Sequence, residues 1–496
     1  MTALVLLVVL FPLLGAGAAA VGARARLAGA ALALGGAGSL ASAIALAVKT
    51  TSLGHFQSWS GFLYVDSLGA FFSVVVSVVV LLASTGSAAY LTAEQDRGEL
   101  SNFQVRLYFA SFSVFASAML AVFLTGNLGL LWILVEASTL ASVVLVGIEA
   151  KARSLEAAWK YVIISSFGVT IALVATVFLF YAASGLHLSS DQRLTWAYLL
   201  AHGSSLAPAS MRLAFLLAVV GYGTKVGLAP MHTWLPDAHS EAPSPVSAML
   251  SAGLLNTGMY AIMRFQAIAR AALGSTYPGT VLLFFGFLTV FIGVMFLVRG
   301  GNYKRLFAYS SVEHMGVISV ALGFGGTLGV YGALLQVLAH AIGKAVLFLS
   351  SGHIVLGYKT RESHRVRGVL GALPLAGAAL LLASLAVAGT PPFGVFLSEL
   401  TIVRAGFASS AVQGPVLAGL LLVLLAIGFI ALVTTALAMV SGDGPGRGKL
   451  VPYPGRLAPV VAALPLVAGL AGLAMLGLWV PSGLNELLMH SVRVVL

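Results

Sequence analysis

Long apolar stretches recur along the whole chain, and they constrain its fold more than any other feature. A helix needs about 20 apolar residues to cross a hydrocarbon layer of about 30 Å, and the sequence supplies roughly fourteen such stretches. Because 59% of the residues are hydrophobic and only 8% are charged, a soluble globular protein is excluded. We predict an all-α, polytopic membrane protein with about 14 transmembrane helices, near 3–22, 28–48, 62–90, 106–125, 128–148, 157–184, 211–229, 245–268, 279–298, 303–323, 329–357, 370–405, 415–441 and 458–480.

These spans are expected to form a single membrane domain over residues 1–496 without a soluble module. We predict three N-terminal helices at about 1–104 and a first repeat, helices four to eight, at about 105–270. A second repeat, helices nine to thirteen, is predicted at about 279–441, followed by a C-terminal helix within 458–496. Because five is odd, the two five-helix repeats should have inverted topology.

Lysine and arginine are concentrated in alternate loops, and this bias predicts the orientation of the chain. The first apolar stretch, about Leu4 to Val21, has no positive residue before it, so we interpret it as a span rather than a secretory signal. Both termini are then predicted on the non-cytoplasmic side of a prokaryotic cell (inner) membrane. The loops predicted to be cytoplasmic carry Arg24, Arg26, Arg97, Arg106, Lys151, Arg153, Arg299, Lys304, Arg305, Lys359 to Arg367, Arg447, Lys449 and Arg456.

The chain has no residues suited to redox chemistry of its own. Cysteine is absent, which excludes disulfides, thiolate metal sites and cysteine ligation of an iron–sulfur cluster. His232, Asp237, His239 and Glu241 match no common metal-binding spacing, so we predict no metal site and no cofactor in this chain. Any electron transfer is therefore expected in a partner.

Proline interrupts two of the predicted spans. Pro230 follows Lys225 in helix seven, and Pro391 and Pro392 interrupt helix twelve before Glu399. Each proline removes a helical hydrogen bond, and freed carbonyl groups at membrane depth are tolerated only beside protein or cavity water. The two broken helices occupy corresponding positions in the two predicted repeats, which favours an inverted-repeat transporter architecture.

Ionisable residues inside the spans give the clearest indication of function. Helix five contains Glu136, helix seven Lys225, helix eleven Lys344 and helix twelve Glu399, so each predicted repeat has one acid and one base. A charge at that depth costs several kcal/mol unless it is paired or neutralised, so these residues are either static structural pairs or carriers of protons. Their number favours proton transfer.

Histidines extend this polar line. His340 and Lys344 are four residues apart and share a helix face, while Glu313 and His314 are adjacent on helix ten and must point in different directions. Histidine titrates near neutrality and relays protons through its two ring nitrogens. We therefore include His340, His314, Glu313 and His232 among the candidate proton-transfer residues.

Two sequence motifs resemble a known family. One is Lys225 with the run Pro230-Met-His-Thr-Trp-Leu-Pro-Asp-Ala-His-Ser-Glu-Ala-Pro-Ser-Pro-Val-Ser247, and the other is Lys304-Arg-Leu-Phe-Ala-Tyr-Ser-Ser-Val-Glu-His-Met-Gly316. The chain is similar to the antiporter-like subunits of respiratory complex I, Mrp antiporters and membrane-bound hydrogenases. Three further features resemble the F component of hydrogenase-4: Glu313-His314-Met-Gly, Asn256 in Leu254-Leu-Asn-Thr-Gly-Met-Tyr260, and Pro391-Pro-Phe-Gly-Val-Phe-Leu-Ser-Glu399.

The resemblance implies roles and partners. Glu136 and Lys225 would form the first half-channel pair, Lys344 would be the lysine of the second half, and Glu399 the exit-side acid. Sister membrane subunits and a hydrogenase-like or quinone-reductase-like peripheral arm, with nickel–iron or iron–sulfur centres, are the implied partners. The chain departs from the family at Asn256, where related subunits often have lysine or histidine, and it ends before the long lateral helix of one complex I subunit.

Four functions remain open at this stage. The leading hypothesis is a proton-translocating, non-redox subunit of an oxidoreductase complex of the group 4 hydrogenase or complex I type. The alternatives are a secondary Na⁺(K⁺)/H⁺ antiporter subunit and the proton-conducting subunit of an inorganic-carbon uptake complex. A scaffold that has lost conduction is the fourth, because asparagine at position 256 carries no proton as an ionised intermediate.

Overall fold

The computed structural model describes residues 1–22, 25–409, 413–445, 450 and 458–496. Four of the loop charges used to predict orientation, Arg24, Arg447, Lys449 and Arg456, lie outside the described residues.

The described chain is built almost entirely of helices, as its apolar stretches predicted. One short antiparallel hairpin precedes the third predicted span. In chain order, the first half contains α1 (Thr2–Leu10), α2 (Leu13–Ala20), α3 (Ala25–Leu53), β1 (His55–Ser58), β2 (Leu63–Asp66), α4 (Ser67–Asp96), α5 (Asn102–Val122), α6 (Leu128–Val146), α7 (Ala152–Ala182), α8 (Trp196–Ala201), α9 (Pro208–Val226), α10 (Trp234–Glu241), α11 (Ser244–Met249) and α12 (Leu255–Leu273).

A π-helical turn at Leu250–Leu254 joins α11 to α12, so the two form one long span. The second half contains α13 (Thr276–Arg299), α14 (Tyr303–Phe324), α15 (Gly326–Tyr358), α16 (Val369–Ala372), α17 (Pro374–Val387), α18 (Gly394–Phe407), α19 (Gly414–Val440), α20 (Ala458–Leu478) and α21 (Ser482–Val495).

Within the described residues, 12 helices are long and apolar enough to cross a membrane, or 13 if α1 and α2 count as one span. The remaining predicted span, near 370–405, is divided into the shorter helices α17 and α18 by the break at Pro391 and Pro392. The prediction of an all-α polytopic protein with about fourteen spans is therefore confirmed.

Three elements differ from the prediction. The first span is two helices bent by 48°, because Pro12 has no backbone N–H and its ring disfavours a helical residue before it. The β1–β2 hairpin was not predicted, because His55–Asp66 is too short and too mixed in composition for a clear strand pattern. The amphipathic helix α21 was also missed; its length of 14 residues is below that of a span.

The innermost layer consists of α11 with α12, α14 and α15, whose residues are almost all buried within the chain. Helices α7, α19 and α20 bury only one side, and their outer residues are apolar and exposed. Polar groups on the innermost helices are therefore surrounded by protein, whereas α7 and α19 present a surface suited to lipid or to another membrane subunit.

Both proline breaks have a glycine with positive φ where the first half-helix ends: Gly227 at +83° and Gly389 at +77°. The carbonyl of Thr224, near the end of α9, accepts a 2.7 Å hydrogen bond from Nε1 of Trp234 and a second one, at 3.3 Å, from the backbone N–H of Gly227. A side chain and the last turn of the helix together satisfy this backbone group at the break.

A buried ion pair joins the hairpin to the first half of the bundle. Asp66 caps α4, and its carboxylate accepts two hydrogen bonds from Arg264 on α12, at 2.7 and 2.8 Å. Arg264 is fully buried and stacks over the ring of Trp196. Asp66, which is 198 residues away in the sequence, supplies the counter-ion that allows Arg264 to be buried.

Candidate functional site

Lys225 is the centre of a first cluster of polar side chains, held between α6, α7 and α9. Its ammonium group is fully buried and donates to the hydroxyl of Thr139, to Tyr161 at 3.2 Å and to Ser165 at 3.5 Å. Glu136, one turn before Thr139 on α6, is half-buried. We call Glu136, Thr139, Tyr161, Ser165 and Lys225 the first cluster.

Glu136 and Lys225 are connected through a hydroxyl group and form no direct ion pair. Thr139 accepts from Lys225, and its oxygen lies 3.4 Å from Oε2 of Glu136. The other carboxylate oxygen accepts a 2.6 Å hydrogen bond from Ser166. Glu136 and Lys225 therefore interact through the Thr139 side chain rather than by direct contact.

The break in helix seven packs directly against the first cluster. Lys225 is the penultimate residue of α9, and Trp234 begins α10 after the break. The Trp234 ring stacks on Tyr161 with a centroid separation of 4.5 Å, and Tyr161 bonds to Ser142 at 2.7 Å. A movement at the break would therefore shift the phenol that contacts the Lys225 ammonium group.

Lys344 on α15 is the centre of a second group of polar residues. It is fully buried and donates to the carbonyl oxygen of Phe307, at 3.0 Å, and to the hydroxyl of Ser310, both on α14. Like Lys225, it forms no direct ion pair with a described carboxylate. Each buried lysine is thus held by neutral oxygens.

A hydrogen-bonded chain runs from α14 toward the broken helix twelve. Nδ1 of His314 lies 2.7 Å from Nε2 of Gln336, whose oxygen accepts from the hydroxyl of Ser398 on α18. Gln336 also bonds to Glu399. We call this group the second cluster; its members are Ser310, His314, Gln336, His340, Lys344, Ser398 and Glu399.

Glu399 lies at the break itself. Its carboxylate is packed against Gly389, where a Cβ atom would collide with a carboxylate oxygen. Gly389 also has a φ of +77°, which side chains with a Cβ rarely adopt. Glycine is therefore required at this position both by the backbone and by the acid beside it.

The adjacent residues Glu313 and His314 leave α14 in different directions. The Glu313 carboxylate packs against Gly428 on α19, whereas His314 faces α15 and lies 5.1 Å, ring to ring, from His340. His314 therefore belongs to the second cluster, and Glu313 lies behind it.

Three buried side chains on the inner helices have polar atoms without protein partners. Both ring nitrogens of His340 and of His239, and Oδ1 of Asn256, have no hydrogen-bond partner among the described residues. The amide nitrogen of Asn256 donates to Ala252 of its own helix, 2.7 Å away. Asn256 can therefore accept a hydrogen bond but has no ionisable group for carrying a proton.

One candidate residue, His232, lies apart from both clusters. It is in the first break and has Phe296 and Tyr309 as its ring neighbours, at 6.5 and 6.2 Å. Lys160, on α7, is a surface residue paired with Glu156 at 2.6 Å. No group of three or more described histidine, aspartate or glutamate residues could hold a metal ion.

The sequence interpretation missed the neutral members of both clusters. Thr139 follows Glu136 by three residues, and Gln336 precedes His340 by four, so helical spacing was the available signal. Lys304 was counted among the loop charges as well as within the tenth predicted span, but it is 1% exposed and its ammonium group donates to the carbonyl of Ala242 at 2.5 Å. Its place in the span is the correct one, because α14 begins at Tyr303 and carries Lys304 into the protein.

The region that contains both clusters matches a known family model. The model, described as NADH:quinone oxidoreductase/Mrp antiporter, TM, matches residues 125–428, which is more than half of the chain. The chain belongs to this family. The resemblance inferred from the motifs around Lys225 and Glu313 is thereby confirmed, and the chain is a multi-pass membrane protein of the complex I/Mrp family.

A hydrogenase-4 relative and two solved structures extend the comparison. The Hydrogenase-4 component F homolog of Methylacidiphilum infernorum (isolate V4) is 35% identical over 404 residues, covering 81% of this chain and 85% of the relative. A chain of the archaeal membrane-bound sulfane sulfur reductase superposes with a TM-score of 0.83 at 23% identity, covering 99% of this chain and 96% of that one. A chain of respiratory complex I from Thermus thermophilus gives a TM-score of 0.81 at 24% identity, covering 99% of each chain. At these identities the structures establish the shared fold.

Proposed function

We propose that this chain is a proton-translocating, antiporter-like subunit of a redox-driven membrane complex of the hydrogenase or complex I type. One observation carries the proposal: Lys225 and Lys344 are fully buried and are held by neutral hydroxyl and carbonyl oxygens. An ammonium group without a contacting counter-ion in a low-dielectric interior is costly, so its charge depends on movements of nearby acids and of water. A lysine in that setting can take up and release a proton.

The proposed path begins at Glu136 and Lys225 and ends at Glu399. Protons would pass from the first cluster through the region of His340 and His314 to Lys344, and then along Gln336 and Ser398 to the acid at the second break. Glu313 would modulate Lys344 from behind. The unpartnered nitrogens of His340 support this route, since they are free to bond water between the clusters.

The energy must come from partner subunits. Moving one charge against about 150 mV costs roughly 3.5 kcal/mol, and this cysteine-free chain has no redox centre of its own to supply it. We propose sister membrane subunits and a hydrogenase-like or quinone-reductase-like arm with nickel–iron or iron–sulfur centres as its partners. The loops with Arg97, Lys151 and Lys359 share one face of the protein, and we propose that this face is cytoplasmic, with both termini on the opposite side.

The test uses the intact complex reconstituted in vesicles. Replacing the buried lysine, Lys225→Ala, is expected to abolish coupled proton movement while assembly with the partners survives. Lys160→Ala is the matched control, because Lys160 is an exposed lysine on α7, the helix that also carries Tyr161. A wild-type ratio of protons to electrons in the Lys225→Ala complex would refute the proposal.

The same vesicles separate the competing functions. Sodium-stimulated proton exchange in the absence of electron transfer would favour a Na⁺(K⁺)/H⁺ antiporter. Purification with a zinc protein rather than a redox arm would favour inorganic-carbon uptake. The proposed function predicts neither result.

A further inference from the structure

A water-accessible cavity opens on the face that carries Arg97 and Lys151. It has a volume of about 950 Å³ and lies where α4, α7 and α15 meet the surface. We call it the vestibule. Acidic and basic side chains line it, among them Glu94, Glu99, Glu149, Lys151, Glu241, Lys359, Arg361, Glu362 and Arg365.

Arg361 spans the floor of the vestibule and joins two elements. Its guanidinium group contacts Glu241, at the end of α10, at 2.5 Å and Glu149, beyond α6, at 3.7 Å. Burial alone would lower the pKa of Arg361, but the two carboxylates outweigh it and raise that pKa above its ordinary value. Arg361 therefore stays charged, and only a movement of its side chain can break these contacts.

Lys304 is a buried neighbour of this ion pair. Its ammonium group bonds to the carbonyl of Ala242, the residue after Glu241. The positive charge of Arg361 and the carboxylates of Glu149 and Glu241 all act on it electrostatically. A positive charge in the first turn of α14 opposes the helix dipole, so helix stability does not account for a lysine here. An ammonium group has three donors, and one described acceptor leaves two of them for water or a carboxylate.

Lys304 is also connected to the second cluster. Phe307, whose carbonyl accepts from Lys344, follows Lys304 by three residues, about 4.5 Å along the helix axis. The unpartnered ring of His239 stacks on Phe348, and both Lys304 and Lys344 act on it electrostatically. His239 is therefore a buried titratable side chain within electrostatic reach of both Lys304 and Lys344.

We propose that Lys304 is the receiving residue of a proton inlet from the vestibule, and that Arg361 is the latch which closes it. When Arg361 leaves Glu241 and Glu149, water reaches Lys304. Once Lys304 has given its proton to the path and is a neutral amine, a hydronium ion protonates it and a water molecule is released. The same proton then leaves through water toward His239 and Lys344, which restores the amine. This inference rests on the proposed function and adds the site at which protons enter the path.

The absence of cysteine makes the latch directly testable. Ala242→Cys places one thiol beside Lys304, and a charged, membrane-impermeant thiosulfonate is applied to the intact complex from the vestibule side. The latch predicts that Arg361→Gln accelerates labelling about tenfold, equivalent to about 1.4 kcal/mol of closing free energy. Arg365→Gln, which removes a vestibule charge without an ion pair, should leave the rate unchanged.

Ser319→Cys, buried near the other end of α14, is the reporter control and should stay unlabelled in both variants. If Arg361→Gln does not assemble, Glu241→Gln opens the same contact from the other side. Equal labelling rates in the Arg361→Gln and Arg365→Gln backgrounds would overturn the latch.

The role of Lys304 as the proton-receiving residue is tested by a separate measurement. Lys304→Met should lower coupled proton movement, and wild-type movement in that variant would overturn the inlet. If Lys225→Ala has no effect either, the proposed function has failed, whereas the labelling result still reports on the latch.

Discussion

Buried ammonium groups are expensive, and the contacts of Lys225 and Lys344 explain how the chain retains them. Each nitrogen bonds to hydroxyl, phenol or carbonyl oxygens, and no carboxylate of the described residues is in direct contact with it. A direct buried ion pair would fix the charge state, since separating its members leaves an uncompensated charge. Contact with neutral oxygens leaves the charge of each lysine sensitive to its surroundings.

Thr139 is the residue through which Glu136 acts on Lys225. The variant Thr139→Val keeps the shape of the side chain but removes the bridging hydroxyl. Hydrogen bonds to charged groups contribute about 1.5–3 kcal/mol, so we expect coupled proton movement to slow by about tenfold or more.

The control is Thr170→Val, whose exposed hydroxyl bonds only to the carbonyl of Ser166 in its own helix. Coupled proton movement would be measured in reconstituted vesicles at equal amounts of assembled complex. Equal rates in the two variants would contradict the bridging role.

Among individual residues, the sequence identified the charged members of the two clusters but not the neutral ones. Glu136, Lys225, Lys344 and Glu399 are conspicuous because charges are rare in apolar stretches. Threonine and serine are common in such helices and usually bond to their own backbone, so nothing in the sequence distinguishes Thr139 from its many equivalents.

The breaks in helices seven and twelve lie next to the proposed proton path. In the first, Trp234 links the break to Tyr161 and so to Lys225. In the second, Gly389 lies against the carboxylate of Glu399. Each break thus touches a candidate proton-transfer group, although the correspondence of the two inverted repeats stays a prediction.

Gly389→Ala tests the second break. A residue other than glycine at positive φ costs roughly 1–2 kcal/mol, and the new methyl group would displace the Glu399 carboxylate. We expect coupled proton movement to fall by about tenfold while the complex still assembles.

Gly371→Ala is the matched control, because a Cβ atom there meets no other atom within 4 Å. Assembly is followed by co-purification and proton movement in vesicles. Normal proton movement in Gly389→Ala would show that the position of Glu399 at the break is unimportant.

The sequence predicted where helices seven and twelve break, because proline has a local and unavoidable effect on the backbone. It did not predict that α10 continues as a separate helix, nor that the side chain of Lys304, at the start of the tenth predicted span, is buried. Those outcomes depend on tertiary contacts, such as that between Lys304 and Ala242, which are 62 residues apart.

At the scale of the whole molecule, one buried ion pair connects the N-terminal helices to the region that matches the family model. Asp66 precedes α4, and Arg264 lies on α12 with its side chain between Trp196 and Tyr260. Removing one partner of a buried pair typically costs about 3–5 kcal/mol, because the other charge is left buried and unpaired. Arg264→Met should therefore lower the thermal stability of the assembled complex markedly.

Arg212→Met is the control, since Arg212 lies only over the ring of Tyr277 and forms no ion pair with a described residue. Both variants would be compared by the midpoint of thermal unfolding of the purified complex. A midpoint for Arg264→Met as high as that for Arg212→Met would refute the structural role.

The central claim is that the two clusters act as one coupled unit that moves protons. The most direct measurement is the ratio of protons moved to electrons transferred in vesicles containing the wild-type complex, Lys225→Ala, Lys344→Ala or the double variant. A single coupled unit predicts the same lowered ratio for all three variants, with the double no lower than either single. Wild-type ratios in both single variants, or losses that add in the double variant, would contradict the account.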